Sequence, residues 1–233
     1  DAFQVLSLGR GPDGEAGYPL VAPYVTGEDL LTILEVGPTL AAVKGDVHLQ
    51  YRGVRFAVNP HRLPLNRVTR AELVDDNGRV REIHPDSLYR VCVNYYTAFM
   101  IEMLGDLSYG VVRVQPRNAD GTPVAMHETV MIDGDVATPG VQEVKEWIAL
   151  VSYLRSFPPG GAGGIPEVPA AYRTFRGWYA WEPSWNPLMI MRGPNSFALR
   201  AAGGVIVLVG IVVLITLVVR PGRRRPPSSS AKG

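Results

Sequence analysis

The sequence predicts an α+β domain, with helices laid on short strands, followed by one transmembrane helix. Three observations carry that expectation. Short apolar runs bounded by Gly, Pro, Asn and Asp alternate with stretches of helical periodicity. Asn77-Gly78 separates two strand-like runs in AELVDDNGRVREI. Residues 201–219, AAGGVIVLVGIVVLITLVV, carry no charge and only Thr216 as a polar side chain. At about 1.5 Å of rise per residue they make a helix of about 28 Å, close to a hydrocarbon core of about 30 Å.

Taken in order, residues 3–8 alternate enough to read as a first strand, broken by the glycine-rich GRGPDGEAG, and residues 20–25 read as a second. Thr26 stands at a helix N-cap, with Asp29 three residues on as an imperfect capping box and Glu28 in the positive first turn. That helix is expected to run to about Glu35, with Leu30, Leu31 and Leu34 on a sheet and Thr32 and Glu35 facing away. The runs VHLQY and VRFAV, split by Arg52 and Gly53, read as strands meeting at a bend. Asn77-Gly78 favours the positive backbone angles of a two-residue hairpin turn. Residues 88–93 read as a buried strand holding Cys92 as a small core residue. Residues 95–104 read as a helix with Tyr96, Phe99, Met100 and Met103 on one side, ended by Gly105. Residues 111–114 and 130–132 read as strands around turns at Asp120-Gly121 and Asp133-Gly134. Thr138-Pro139 then opens what reads as the longest helix before the span. It buries Val144, Trp147, Ile148, Val151 and Leu154 and leaves Glu143, Lys145 and Glu146 wet, until Pro158-Pro159 stops it.

These elements divide the chain into a domain over 1–157, a Pro/Gly/aromatic-rich packed tether over 158–200, the span over 201–219 and a basic tail over 220–233. Trp178, Trp181 and Trp185 in the tether either sit at a membrane interface or pack on the domain. Arg220, Arg223, Arg224, Arg225 and Lys232 follow the span, against Arg192 and Arg200 before it, which puts the C-terminus in the cytoplasm and the bulk of the chain outside it. A buried core helix fits such a run less well, because it is apolar on every side and followed by arginines. A removable lipid-anchor signal ends on its apolar tail, and this one continues into charge. An outside domain also requires an export signal, which is expected upstream of Asp1.

Composition excludes other classes. The net charge of +1 turns negative once the basic tail is set aside, so nucleic acid is not an expected partner. One cysteine cannot form a disulfide within the chain or a zinc knuckle. No roughly 20- to 50-residue repeat indicates a solenoid. Asp46-Val47-His48 has the spacing by which a strand presents two metal ligands on one face, but His61, His84 and His127 do not supply the further clusters of a two-metal site. Asp133 and Asp135, with only Gly134 between them, read as a turn and not a calcium loop. No nucleophile elbow, phosphate loop or His-Glu-x-x-His is present. No catalytic or metal-ligating residue is assigned to this chain.

The order of segments VLSLGRG, YPLVAPYVTGEDLLTILE, VRFAVNP and LYRVCVNYY resembles the C-terminal domain of the 5'-nucleotidases, two-domain metallophosphoesterases. The likeness covers residues 5–104 and weakens out to 157. Its most specific piece is Val25-Thr26-Gly27-Glu28-Asp29-Leu30-Leu31 followed by Leu34-Glu35. The resemblance implies a layered mixed sheet with packed helices and a cleft shared with a separate N-terminal domain, which holds two divalent metal ions and is absent here. It also implies a base clamp of two phenylalanines, one in a Leu-Pro-Phe-Gly stretch and one in an Asn-Phe stretch leading to Gly-Gly-Asp-Gly. Leu8 stands in the first place, within Leu6-Ser7-Leu8-Gly9, and Tyr96 in the second. The glycine loop is replaced by TAFMIEMLGD, of helical pattern.

Tyr96 thus has two readings, a ring that stacks on a ligand or a core tyrosine on a helix face. The chain has two as well. It is the substrate-side domain of a membrane-anchored, extracytoplasmic phosphoesterase for nucleotides or other phosphate esters, inactive by itself. Alternatively, it is a surface binding or scaffold module that kept the fold and lost the ligand site.

Overall fold

The computed structural model describes residues 2–43, 45, 49–107, 112–125, 131–160, 164–173, 179–191 and 193–194. The expected span, the basic tail, Asp46, His48, His127 and Trp178 lie outside them. Among the described residues, no helix is long and apolar enough to cross a membrane.

The centre of the fold is a four-stranded mixed sheet. Its strands are β3 (Val54–Val58), β4 (Val68–Val74), β5 (Val80–Glu82) and β10 (Tyr179–Trp181), in the order β10-β3-β4-β5. β3–β4 and β4–β5 are antiparallel, and β10 runs parallel to β3. β10 comes from the stretch read as a tether, and Tyr179 stacks on Phe56 with ring centroids 5.1 Å apart. Two short antiparallel pairs flank this sheet. β1 (Leu20–Val21) pairs with β7 (Val93–Asn94), and β2 (Tyr24–Thr26) with β6 (Leu88–Arg90). A further pair, β8 (Pro159–Gly160) and β9 (Ile165–Pro166), follows α4 (Glu146–Arg155). The remaining helices are α1 (Ala2–Leu6), α2 (Gly27–Val43), α3 (Tyr95–Leu107) and α5 (Pro187–Met191).

The capping box forms as read. Asp29 N donates to Thr26 Oγ1 at 3.1 Å, and the Asp29 carboxylate accepts from the Thr26 hydroxyl at 2.8 Å and its N–H at 3.3 Å. Leu30, Leu31 and Leu34 then pack on Val25, Phe56, Val58, Val68 and Ile83, which makes the helix-on-sheet core. Burying a leucine side chain in this way contributes about 1.5–3 kcal/mol.

Several expectations are overturned. Residues 3–8 begin in helix, because five residues fit either period and Phe3 meets Trp147 edge-to-face at 5.3 Å. The strand at 20–25 is two strands, interrupted at Ala22-Pro23. α2 continues through Gly37 and Pro38 to Val43, since Val36 and Pro38 are buried and packing overrides the local helix-breaking signal. Glu35 does not face away: it is 1% exposed, its carboxylate accepting the N–H groups of Arg67 at 2.6 Å and Val68 at 2.9 Å. Leu49, Gln50 and Tyr51 do not form a strand.

The β4–β5 turn is longer than two residues, and of Asn77-Gly78 only Gly78 takes a positive φ, +77°. Asp75 decides this by accepting the N–H groups of Asn77 and Arg79 on one side-chain oxygen, both at 2.9 Å. The strand at 88–93 breaks at Val91-Cys92, leaving Cys92 exposed and not in the core. α3 passes Gly105 to Leu107 and buries Ala98 and Ile101, while Tyr96 and Phe99 are exposed. Residues 112–114 are not strand, and Met131 makes only an isolated bridge to Val21. The helix expected from 138 begins at Glu146, because residues 142–145 are drawn off into backbone pairing, Val144 N to Ile132 O at 3.2 Å and Leu20 N to Val144 O at 2.9 Å. α2 is accordingly longer than α4. α4 also has no fully buried residue, and Ile148 is 36% exposed.

Candidate functional site

The site expected from sequence involves the start of α3 and the loop before β1. Asn94 caps α3, its Oδ1 accepting Thr97 N at 2.7 Å, and its Nδ2 donates to Glu146 Oε1 at 2.6 Å. The first turns of α3 and α4 are therefore tied together. Tyr96 stands on that first turn, 47% exposed, which removes the core-tyrosine reading. Leu8 is 72% exposed.

Beside Tyr96 lies a residue that the sequence reading passed over. The ring of Tyr18 stacks on that of Tyr96, with centroids 5.2 Å apart and planes inclined by 28°. The same ring lies against Gly9, where a Cβ would collide with it. The structure therefore brings both Tyr96 and Gly9, the residue after Leu8, against Tyr18.

The loop over residues 9–17 is fixed from below by buried charge. Lys145, expected to be wet, is 3% exposed, and its Nζ lies 2.6 Å from both Asp13 Oδ1 and Glu143 Oε2. Glu143 is also inside, and its Oε1 accepts Asp13 N at 3.0 Å. Burial acts to lower the Lys145 pKa, but the two carboxylates outweigh it and raise the ammonium above its ordinary value. Burial likewise opposes ionisation of Asp13, and hydrogen bonds from Lys145 and Glu15 with the Lys145 charge bring its carboxyl below the usual range. Two carboxylates converging on a point can suggest a metal, but here the point is held by an ammonium. Among the described residues, no group of three or more His, Cys, Asp or Glu side chains is placed to hold a metal ion.

The buried face of α3 turns elsewhere. Thr97, Ala98 and Ile101 line a cleft of about 750 Å³ with Leu34, Tyr51 and Val91. Burial pushes the Tyr51 hydroxyl well above its ordinary pKa, and the exposed Cys92 at this cleft has its thiol raised by partial burial, against the Arg90 charge. The volume is in the range of small-molecule sites, and the lining is mostly apolar.

Residues 15–102 match the 5'-nucleotidase, C-terminal domain family. That stretch holds the capping box, α2, the β4–β5 hairpin, Tyr18 and Tyr96, so the resemblance to the 5'-nucleotidase C-terminal domain and the mixed α+β fold expected from it are borne out there. Leu8, α4 and β10 fall outside it. No curated protein matches the chain. Among solved structures it is similar to a 5'-nucleotidase precursor from Thermus thermophilus, at 20% identity and a TM-score of 0.43, over 71% of this chain and 26% of that one. The chain thus spans about a quarter of the length of that protein.

Proposed function

We propose that this chain is the substrate-side domain of a membrane-anchored, extracytoplasmic 5'-nucleotidase-like phosphoesterase, with Tyr96 as the ring that meets a nucleotide base. The match of residues 15–102 to the 5'-nucleotidase C-terminal domain carries this reading. The half-exposed Tyr96 ring at the start of α3 supports it, since a base stacked on an aromatic side chain gains about 1–3 kcal/mol. Leu8 contributes apolar contact without a flat π surface. In this reading the hydrolytic water and the two divalent ions belong to a metallophosphoesterase domain outside this chain, and the run 201–219 anchors both to the membrane.

The non-catalytic binding or scaffold reading is favoured by one observation, the Tyr18 ring already seated against Tyr96. A titration separates the two. AMP added to the full 233-residue chain in detergent should bind, and Tyr96→Ala should weaken binding by about 1–3 kcal/mol, roughly five-fold to 150-fold, with little change in Tyr96→Phe. Binding that is undetectable at millimolar AMP, or indifferent to Tyr96, would leave the scaffold reading.

A further inference from the structure

Tyr18 lies opposite Tyr96 for a reason of register. Leu20 pairs with Asn94 in the antiparallel β1–β7 ladder, so two steps back from Leu20 and two steps on from Asn94 lead to Tyr18 and Tyr96. Tyr95 N donates to Pro19 O at 2.8 Å, which continues the pairing one step beyond the strands. The pairing ends where α3 begins at Tyr95, and the same register leaves positions 18 and 96 next to each other just past it, where their rings stack.

The backbone of Tyr18 is held on its other flank too. Glu146 N donates to Tyr18 O at 3.1 Å, and Trp147 packs where a Cβ on Gly17 would stand. Gly9 is brought against the ring by Gly17 N donating to Gly9 O at 3.1 Å and by the Arg10–Ala16 bridge. Gly9 has a φ of +71°, and its missing side chain is what admits the Tyr18 ring. The ring is consequently held against the Gly9 backbone and stacked on Tyr96.

A planar ligand inserted between two faces needs them about 7 Å apart, twice the contact distance of carbon atoms. The 5.2 Å between the Tyr18 and Tyr96 centroids leaves no room for such a layer. We propose that Tyr18 is an intramolecular plug, an aromatic ring seated on Tyr96 where the base of a nucleotide would stack, which a ligand must displace to bind. This rests on the nucleotide reading of Tyr96. It assigns low affinity to the resting protein and names the residue that sets it.

The experiment is AMP titration of the full chain carrying Tyr18→Ala, Tyr18→Leu, Tyr18→Phe or Tyr96→Ala, each checked for wild-type-like melting. Tyr18→Leu keeps apolar contact at the position if the alanine variant does not fold. Removing the competing stack should tighten AMP by about two-fold to tenfold in the alanine and leucine variants and leave Tyr18→Phe as wild type. Unchanged or weaker binding in the folded alanine or leucine variant, while Tyr96→Ala still weakens AMP relative to wild type, overturns the plug and makes Tyr18 a wall of the site. Absence of AMP binding in every folded variant overturns the nucleotide reading and the plug together.

Discussion

Lys145 Nζ and Glu143 Oε2 lie 2.6 Å apart on the same short segment, and Asp13, far away in sequence, closes the cluster at 2.6 Å on its other side. The ammonium is what permits a carboxylate to be buried under the glycine-rich loop, and a Cβ on Gly11 would collide with both Glu143 and Lys145. The charge network and the loop conformation thus require one another.

Lys145→Met should therefore be strongly destabilising. It leaves the Glu143 carboxylate buried beside Asp13 with no compensating cation, a change that typically costs about 3–5 kcal/mol. Urea unfolding of the two proteins measures it. A loss below about 1 kcal/mol would mean that the cluster opens to water and does not anchor the loop.

Glu35 gives the protein a pH dependence of unusual sign for a carboxylate. Burial raises its pKa from 4.5 to about 7, against the Arg67 and Val68 N–H donors and the Arg62 and Arg67 charges. Between those two values the folded state holds a proton that the unfolded chain has released. The contribution of this group is therefore full below the unfolded pKa and is lost as pH rises from 4.5 to about 7, by at most about 3 kcal/mol. Glu35→Gln should be less stable overall, because an amide offers one acceptor to two buried donors, yet its stability should fall less than the wild type's across this window. Denaturation midpoints of both proteins from pH 4 to pH 8 test the difference, and parallel profiles would show that Glu35 stays ionised throughout.

The uncharged run at 201–219 and the arginines after it predict that the chain fractionates with membranes, its C-terminus in the cytoplasm. Protease added to intact cells should digest the domain before Pro158 and spare a tag placed after Gly233. The opposite pattern would reverse the topology.

What the sequence by itself determined was local. The Thr26–Asp29 box and the leucine stripe of α2 are set by residues within two turns of each other, and both were legible because a helix start and an apolar face are short-range patterns. The family resemblance was legible for the same reason, resting on the strand, Thr-Gly turn and helix around Val25. The β4–β5 hairpin was legible in outline, but its turn type was decided by the Asp75 side chain.

Tertiary structure decided everything that pairs distant residues. Helical periodicity put Glu35 on a wet face of α2, and the N–H groups of Arg67 and Val68, more than thirty residues away, brought it inside. Lys145 read as solvated until Asp13 arrived from the other end of the domain. Tyr18 could not be singled out from its neighbours, because its place on Tyr96 follows from the Leu20–Asn94 register, and register is a property of two strands that neither contains alone. Local propensities fix short segments through steric and hydrogen-bonding rules that act within a few residues. The partners of a buried charge or a stacked ring are chosen only when packing brings separate segments to the same point.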